Sequence, residues 1–179
     1  MDWYVLRTLG GREKIVLAIL GKIEKFSEFD IFCPQKRISW RKSGDIFFLV
    51  KPLFEGYLFV SVNNEKIEKF QRLLNRYKIN MVSLVRSAGS IIPISIEEKQ
   101  ILQRLMNCER VVEVSKFEII EHQLKVIEGP LIGFEHMIKK FSSRNRRITI
   151  EIPILQEKKN ILLEGLLVNL KKRVQGKMV

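Results

Sequence analysis

Apolar residues in the first hundred positions follow two spacings, one typical of strands and one typical of helices. Five segments are rich in β-branched and aromatic residues and predict strands: residues 3–8, 30–38, 46–50, 53–62 and 81–85. Three segments combine helical spacing of apolar residues with lysine and arginine on the remaining face, and predict helices: residues 12–26, 65–77 and 96–107. The order βαβββαβα is typical of an α+β sandwich, in which helices cover an antiparallel sheet.

The pattern changes after Asn107, because residues 108–115 show no amphipathic period. Short β-like segments separated by turns follow: residues 123–127, 135–141, 147–153 and 162–167. This spacing predicts a small β-barrel of about five strands, and the alternation of apolar and polar residues in 148–152 favours strand over helix there. We therefore expect two domains, residues 1–108 and 119–179, joined by a linker at 109–118.

The charge of the chain indicates the class of partner. Its 179 residues include 32 Lys and Arg against 20 Asp and Glu, a formal net charge of +12. Such an excess attracts polyanions through phosphate neutralisation and counterion release, so nucleic acid is the favoured partner; a role in solubility alone is the alternative. No apolar run reaches the ~18 residues of a membrane helix, and the amino terminus does not resemble a signal peptide, so we expect a cytoplasmic protein.

The residues that most often carry catalysis or bind metals are few and scattered. Cys33 and Cys108 stand far apart, without the close pairing of a zinc site or the density of a disulfide scaffold, and we expect both to be reduced. His122 and His136 are equally isolated, and no glycine-rich phosphate loop is present. We therefore expect no enzymatic activity, no metal and no cofactor.

Three segments resemble signatures of the NusG family and occur in the order of that family: Trp3-Tyr4-Val5, the run 51–60 (KPLFEGYLFV) and Val126-Ile127-Glu128-Gly129-Pro130. The first two resemble the amino-terminal NusG domain. The third, which continues through Phe134-Glu135, resembles the KOW motif that opens the carboxy-terminal barrel of the family. The run 51–60 is more similar to the specialised antiterminators of RfaH and LoaP type, and the basic barrel favours the LoaP type, which is associated with RNA hairpins.

The resemblance implies a hydrophobic pocket that receives the clamp helices of the largest RNA polymerase subunit. By motif position its candidate residues are Tyr4, Phe54, Tyr57 and Phe59. Aromatic side chains suit such a contact because they bury a large area at a low cost in rotamer entropy. The alternative is that they form the domain core. Strand alternation places Tyr57 and Phe59 on one face and their neighbours on the other, so one of the two sets is core.

Basic residues supply the expected nucleic-acid contacts. Around one predicted turn of the barrel lies the set expected to bind an RNA hairpin: Lys139, Lys140, Arg144, Arg146 and Arg147. A second set is a candidate for DNA at the upstream fork or for an extension of the RNA site: Lys14, Lys22, Arg72, Arg76 and Lys78. A third lies at the predicted hairpin around Ser43-Gly44-Asp45: Lys36, Arg37, Arg41 and Lys42. For each set the alternative is a solvated surface.

These expectations describe a monomeric elongation and antitermination factor that binds polymerase through one domain and RNA through the other. A ribosome-type structural RNA-binding protein, anchored by a KOW barrel, is the alternative. The two differ in their partner, since only the first binds RNA polymerase.

Overall fold

The computed structural model describes residues 1–43, 45–121 and 123–168. Gly44 of the predicted turn, His122 and residues 169–179 of the predicted second domain lie outside the described residues. The helices are α1 (Glu13–Gly21), α2 (Asn64–Arg76) and α3 (Ile96–Leu105). The strands before Ser115 are β1 (Asp2–Thr8), β2 (Asp30–Phe32), β3 (Gln35–Lys42), β4 (Asp45–Pro52), β5 (Tyr57–Val62), β6 (Val82–Leu84), β7 (Arg86–Ser87), β8 (Ser90–Ile91) and β9 (Val111–Val112). The later strands are β10 (Ser115–Ile120), β11 (Gln123–Glu128), β12 (Ile138–Ser142), β13 (Arg147–Ile154) and β14 (Glu157–Leu167).

An antiparallel sheet in the order β2-β5-β1-β6 forms the centre of the amino-terminal half. Helices α1 and α2 cover one face of it, and the apolar face of α2 (Ile67, Phe70, Leu73, Leu74) is buried there. Helix α3 begins with a capping box, in which the Ser95 hydroxyl accepts from the Glu98 amide and the Glu98 carboxylate accepts from the Ser95 amide. The predicted α+β sandwich is confirmed.

Three predicted boundaries in this half are wrong, each for a local reason. The first helix ends at Gly21 and a 3-10 turn follows (Glu24–Phe26), because the backbone is extended at Ile23. The strand predicted over 30–38 divides into β2 and β3 around Pro34, which has no N–H to donate to a ladder. The strand predicted over 53–62 begins only at Tyr57, because Gly56 turns the chain with a φ of +78°.

The carboxy-terminal half forms a curled five-stranded sheet in the order β11-β10-β14-β13-β12, which confirms the predicted small barrel. Strand β13 pairs with β14 over its whole length, and β10 pairs in parallel with β14 from Ser115 opposite Gly165. Strand β10 begins inside the segment predicted as a linker. The domain boundaries themselves stay a prediction.

The barrel and α3 lie against the second face of the central sheet. One continuous apolar cluster joins Val5 and Phe59 of the sheet to Leu102 of α3 and to Phe117 and Ile150 of the barrel. The sheet is therefore buried on both faces. Among the described residues, no helix combines the length and the apolar character that crossing a membrane requires.

Candidate nucleic-acid and protein interfaces

Three of the four predicted interface aromatics lie together on the barrel side of the central sheet. The ring of Phe54 lies 6.5 Å from that of Tyr57 and 6.1 Å from that of Phe59, and Trp3 extends the group at 6.2 Å from Phe59. Phe54 and Phe59 are buried, with 5% and 0% of their surface exposed. Because successive side chains of β5 point to opposite faces of the sheet, Tyr57 and Phe59 point toward the barrel, whereas Leu58 and Val60 point toward the helices.

Tyr57 lies at the edge of this group and is only half-buried. Its hydroxyl accepts a hydrogen bond from Lys159 Nζ of β14 at 2.9 Å, and the same ammonium lies 4.4 Å from the centre of the ring. A cation in that position is attracted by the π electrons of the ring. Tyr57 therefore connects the central sheet to the barrel.

Tyr4 lies on the opposite face of the sheet, in the cluster beneath α1 and α2, and is fully buried. Its hydroxyl donates to Asn64 Oδ1 at 2.8 Å, and burial, with a smaller contribution from Asp2, raises the pKa of that hydroxyl. In this structure Tyr4 is a core residue of the helical side and does not join the other three aromatics.

The five basic residues predicted around the barrel turn do not form one free group, because the fold brings acids among them. Lys139 pairs with Glu151 at 3.2 Å, and the hydrogen bond from Lys139 is the largest of the effects that lower the pKa of Glu151. Lys140 and Arg144 are exposed. Arg146 and Arg147 both pair with Glu164. Strand pairing therefore places Glu151 of β13 beside Lys139, and Glu164 of β14 beside Arg146 and Arg147.

Glu164 is a buried carboxylate that joins the barrel to β3. Its oxygens accept hydrogen bonds from the Ser39 amide at 3.1 Å, from the Ser39 hydroxyl and from Arg147 Nη1, and its side chain has no exposed surface. Arg147 Nη2 donates to the Ser39 carbonyl at 2.8 Å, and Arg146 Nε lies 3.2 Å from the carboxylate. A charge buried in this way requires such partners. The sequence reading missed both Ser39 and Glu164.

A basic groove of about 570 Å³ opens at one end of the barrel. Its polar lining comes from Lys116, Ser143, Arg144 and Arg146. Lys116 pairs with Glu128 at 2.7 Å and Arg146 with Glu164, so Arg144 is the most available cation. Lys116 was missed because it falls in the segment predicted as a linker, although the alternation in 115–120 is a strand signal.

The second basic set lies on the helical layer, on the side of the sheet away from the barrel. Lys14 lies in the first turn of α1 and Lys22 directly follows that helix. Arg72 and Arg76 are one turn apart on α2, and Lys78 follows α2; all five residues are exposed. Arg72 pairs with Glu68 at 3.6 Å within its own helix. The set is therefore separate from the barrel groove and cannot extend it.

At the hairpin of β3 and β4, the two basic residues nearer the base have partners or are partly buried. Arg37 binds Glu113 through two hydrogen bonds, which are the main cause of its raised pKa. Burial lowers the pKa of Lys36, and the nearby Glu55 opposes that effect. The side chains of Arg41 and Lys42 lie outside the described residues.

The described residues contain no group of three or more His, Cys, Asp or Glu side chains that could hold a metal ion. Cys33 is buried and Cys108 exposed, and burial is the main cause that raises the pKa of the Cys33 thiol to about 12. A thiol with this pKa is protonated, and unreactive, at neutral pH.

Comparison with known proteins gives one family. The family model described as "NusG: Transcription termination factor nusG" matches residues 1–105. Among solved structures, the chain resembles one titled "Crystal Structure of MjSpt4:Spt5 complex conformation A", at 13% identity and a TM-score of 0.33, over 91% of this chain and 99% of that one. No curated protein matches the sequence with significance.

Proposed function

Since the chain belongs to the NusG family of transcription factors, we propose that it is a cytoplasmic elongation and antitermination factor of the specialised RfaH or LoaP type. Its amino-terminal domain, residues 1–108, binds the clamp helices of the largest RNA polymerase subunit. Its KOW barrel, residues 119–179, binds a hairpin in a leader transcript. While it stays bound, the factor suppresses pausing and termination by the polymerase.

The aromatic group of Phe54, Tyr57 and Phe59 carries the polymerase half of the proposal. It is largely apolar, lies in the family-matched part of the chain and packs on one face of the central sheet. Aromatic residues in such a position dominate the affinity of many protein interfaces. Tyr4 is left out of the proposed contact because it packs under the helices.

In this structure the barrel covers that face, so the proposed contact requires the barrel to separate from the sheet first. The apparent affinity for polymerase is then the affinity of the open form, in which the barrel has separated, multiplied by the fraction of molecules that are open. Contacts that hold the barrel in place, such as Lys159 to Tyr57, oppose binding. Contacts made by Tyr57 itself with the clamp helices favour it.

NusG-family factors are non-enzymatic, and the proposed mechanism makes and breaks no covalent bond. A factor that binds elongating polymerase more tightly than paused polymerase shifts the population toward elongation. A coupling free energy of ~1 to 3 kcal/mol changes pausing by roughly an order of magnitude.

The basic groove supports the RNA half of the proposal. Arg144 is exposed at its rim and Lys140 is exposed on the adjacent strand β12, whereas Arg146 and Arg147 are held by Glu164. A guanidinium can bind phosphate or a guanine edge through two hydrogen bonds. We therefore assign RNA contact to Lys140 and Arg144, and a supporting role to Arg146 and Arg147.

Two substitutions on opposite sides of one contact test the polymerase half. Tyr57→Ala removes a proposed interface ring and is expected to weaken binding to purified core polymerase by at least about tenfold, as for an interface hot spot. Lys159→Ala removes only the barrel side of the same contact, and is expected to tighten binding because more molecules are open. Equal affinities for both variants and the unmodified chain would place the polymerase contact elsewhere.

A labelled leader RNA, titrated at two salt concentrations, tests the RNA half. Replacing Lys140 and Arg144 together with alanine is expected to lower affinity and to flatten the salt dependence by about one unit for each lost phosphate contact. Lys25→Ala with Lys66→Ala is the control, since it removes the same charge from the exposed helical layer. An equal loss in both double variants would indicate attraction by net charge alone.

A ribosome-type RNA-binding role gives a different pattern. It predicts co-sedimentation with ribosomes and no retention on polymerase. Running both assays on the same preparation decides between the two roles.

A further inference from the structure

Strand β4 is an open, apolar edge on the surface of the protein. It is the outer strand of the three-stranded sheet β4-β3-β9, and Ile46, Phe47, Phe48 and Leu49 each leave 40–52% of their surface exposed. Among residues 1–43, 45–121 and 123–168, no strand pairs with its outer side. Proteins usually protect such an edge, because it is a template for pairing with another strand.

The ladder between β3 and β4 shows which backbone groups of β4 are free. The Ser39 amide and carbonyl bond to Glu164 and Arg147, so the pair of Ser39 and Phe48 exchanges no backbone hydrogen bonds. By alternation along an antiparallel ladder, the N–H and C=O groups of Ile46, Phe48 and Val50 point outward. Pro52 has the same parity, and its missing N–H ends the open edge.

We propose that β4 pairs antiparallel with β4 of a second copy of this chain, about a twofold axis at Phe48. In this register Phe48 lies opposite Phe48 of the copy, and Ile46 lies opposite Val50. Each opposed pair whose groups point outward exchanges two hydrogen bonds, so all the free groups of the edge are satisfied. The interface is self-complementary, as a twofold interface must be.

The charges of the strand select this register and this partner. Asp45 and Lys51 are the only charged residues in β4, and the twofold axis at Phe48 places Asp45 of each copy opposite Lys51 of the other. Opposite charges in directly opposed positions stabilise a strand pair. If the two strands were shifted by two residues in either direction, one of these charged side chains would lie opposite an apolar residue of β4 and the other would lie opposite a residue beyond its end.

The position of the hairpin leaves room for a second copy. Ser39 on β3 contacts Glu164 of the barrel, so the barrel lies on the far side of β3 from β4. Pairing at β4 therefore leaves the contacts between sheet and barrel unchanged. It is also independent of polymerase and RNA binding, which use other residues.

Nucleic acid is the other candidate for a protruding hairpin with aromatic residues. The salt dependence of binding distinguishes nucleic acid from a second copy of the chain. Contacts with phosphates weaken as the salt concentration rises, whereas salt screens the repulsion between two chains of charge +12. The pairing is therefore expected to persist or strengthen at high salt.

Sedimentation of the nuclease-treated full chain at 0.1 and 0.5 M salt measures the association. The unmodified chain is expected to show a concentration-dependent monomer–dimer equilibrium. Asp45→Lys places lysines opposite each other at both ends and should raise the dimer Kd by roughly tenfold or more. The double variant Asp45→Lys with Lys51→Asp restores both pairs and should restore the Kd. Trp40→Lys is the control, because Trp40 is as exposed but lies on β3.

Cross-linking tests the register directly. In a Cys108→Ser background, Phe48→Cys is expected to form a disulfide between copies, since opposed residues lie within the distance that a disulfide spans. Ile46→Cys should not, because its opposite residue is Val50. A monomer at all concentrations, larger oligomers, no rescue by the charge swap, or equal cross-linking of both cysteine variants would overturn the proposal and leave the monomer expected from the sequence.

Discussion

Substitution of Glu164 gives the sharpest test of how the two halves of the molecule are held together. Its carboxylate has no exposed surface and accepts hydrogen bonds from Ser39 of β3 and from Arg147 of β13. Glu164→Gln keeps the size of the side chain and removes its charge. Ser39→Ala removes one hydroxyl donor from the other side of the same contact.

The expected magnitudes follow from burial. Removing one partner of a buried ion pair costs about 3–5 kcal/mol, because it leaves the other charge uncompensated. Arg146 and Arg147 keep 17% and 24% of their side-chain surface exposed and can turn partly toward water, so we expect a smaller loss for Glu164→Gln, about 2–3 kcal/mol. A hydrogen bond from a hydroxyl to a carboxylate contributes about 1.5 kcal/mol, which is the expected loss for Ser39→Ala.

The double variant measures the coupling between these residues. Once Glu164 is neutral, Ser39 loses only a neutral hydrogen bond, of about 0.5 kcal/mol, so the double variant should be about 1 kcal/mol more stable than the sum of the single losses predicts. Urea denaturation followed by far-ultraviolet circular dichroism gives each free energy of unfolding.

Glu151→Gln is the matched control for the cycle. Glu151 also pairs with two basic residues, Lys139 and Lys158, but its partners are exposed and belong to the barrel itself. It is expected to change stability little and to show no coupling to Ser39. A coupling between Ser39 and Glu164 below about 0.3 kcal/mol would refute the reasoning, because independent sites add within that range.

Further expectations concern single residues. Gly129→Ala should cost at least about 2 kcal/mol of unfolding free energy, because φ at Gly129 is +106° and the new Cβ would lie 2.7 Å from the Ser115 backbone. Gly89→Ala should cost only about 1 kcal/mol, because φ at Gly89 is +83° but the space around it is open. Equal losses of unfolding free energy in urea denaturation would refute the steric argument. An aromatic disulfide reagent at pH 8 should label Cys108 rapidly and Cys33 only after unfolding; two fast thiols in the folded chain would contradict this. In the folded chain the pKa of the Cys33 thiol is raised from 9.0 to about 12, so the contribution of this thiol to stability is fully present below pH 9 and is lost as the pH rises toward 12. A Cys33→Ala variant whose free energy of unfolding falls just as steeply over that range would show that other groups cause the decline.

Local sequence patterns were enough to predict the fold class, the three helices and most of the longer strands, but not the short strands β7, β8 and β9 or strand β10. The periodicity of 65–77 predicted α2 to within one residue at each end, because the helix is amphipathic throughout. The alternation in 57–60 correctly separated Phe59 from Leu58, because a strand directs successive side chains to opposite faces. The family signature marked the aromatic residues Phe54, Tyr57 and Phe59, although the strand predicted for this run begins only after the turn at Gly56.

The candidate sites depended on contacts between residues that are distant in sequence. The sequence predicted an open aromatic pocket, but the other half of the chain covers Phe54 and Phe59, and Tyr4 belongs to the opposite face. It placed five cations around one turn of the barrel as RNA contacts, but the register of β13 and β14 brings Glu164 to Arg146 and Arg147.

Periodicity therefore determined which side chains share a face, since that depends only on the repeat of a helix or strand. Tertiary packing decided which of those faces is solvent-exposed and which charges are neutralised. Burial and ion pairing arise between segments that the fold brings together, as it does Ser39 and Glu164. A contact between residues so distant in sequence cannot be predicted from the local pattern around either one.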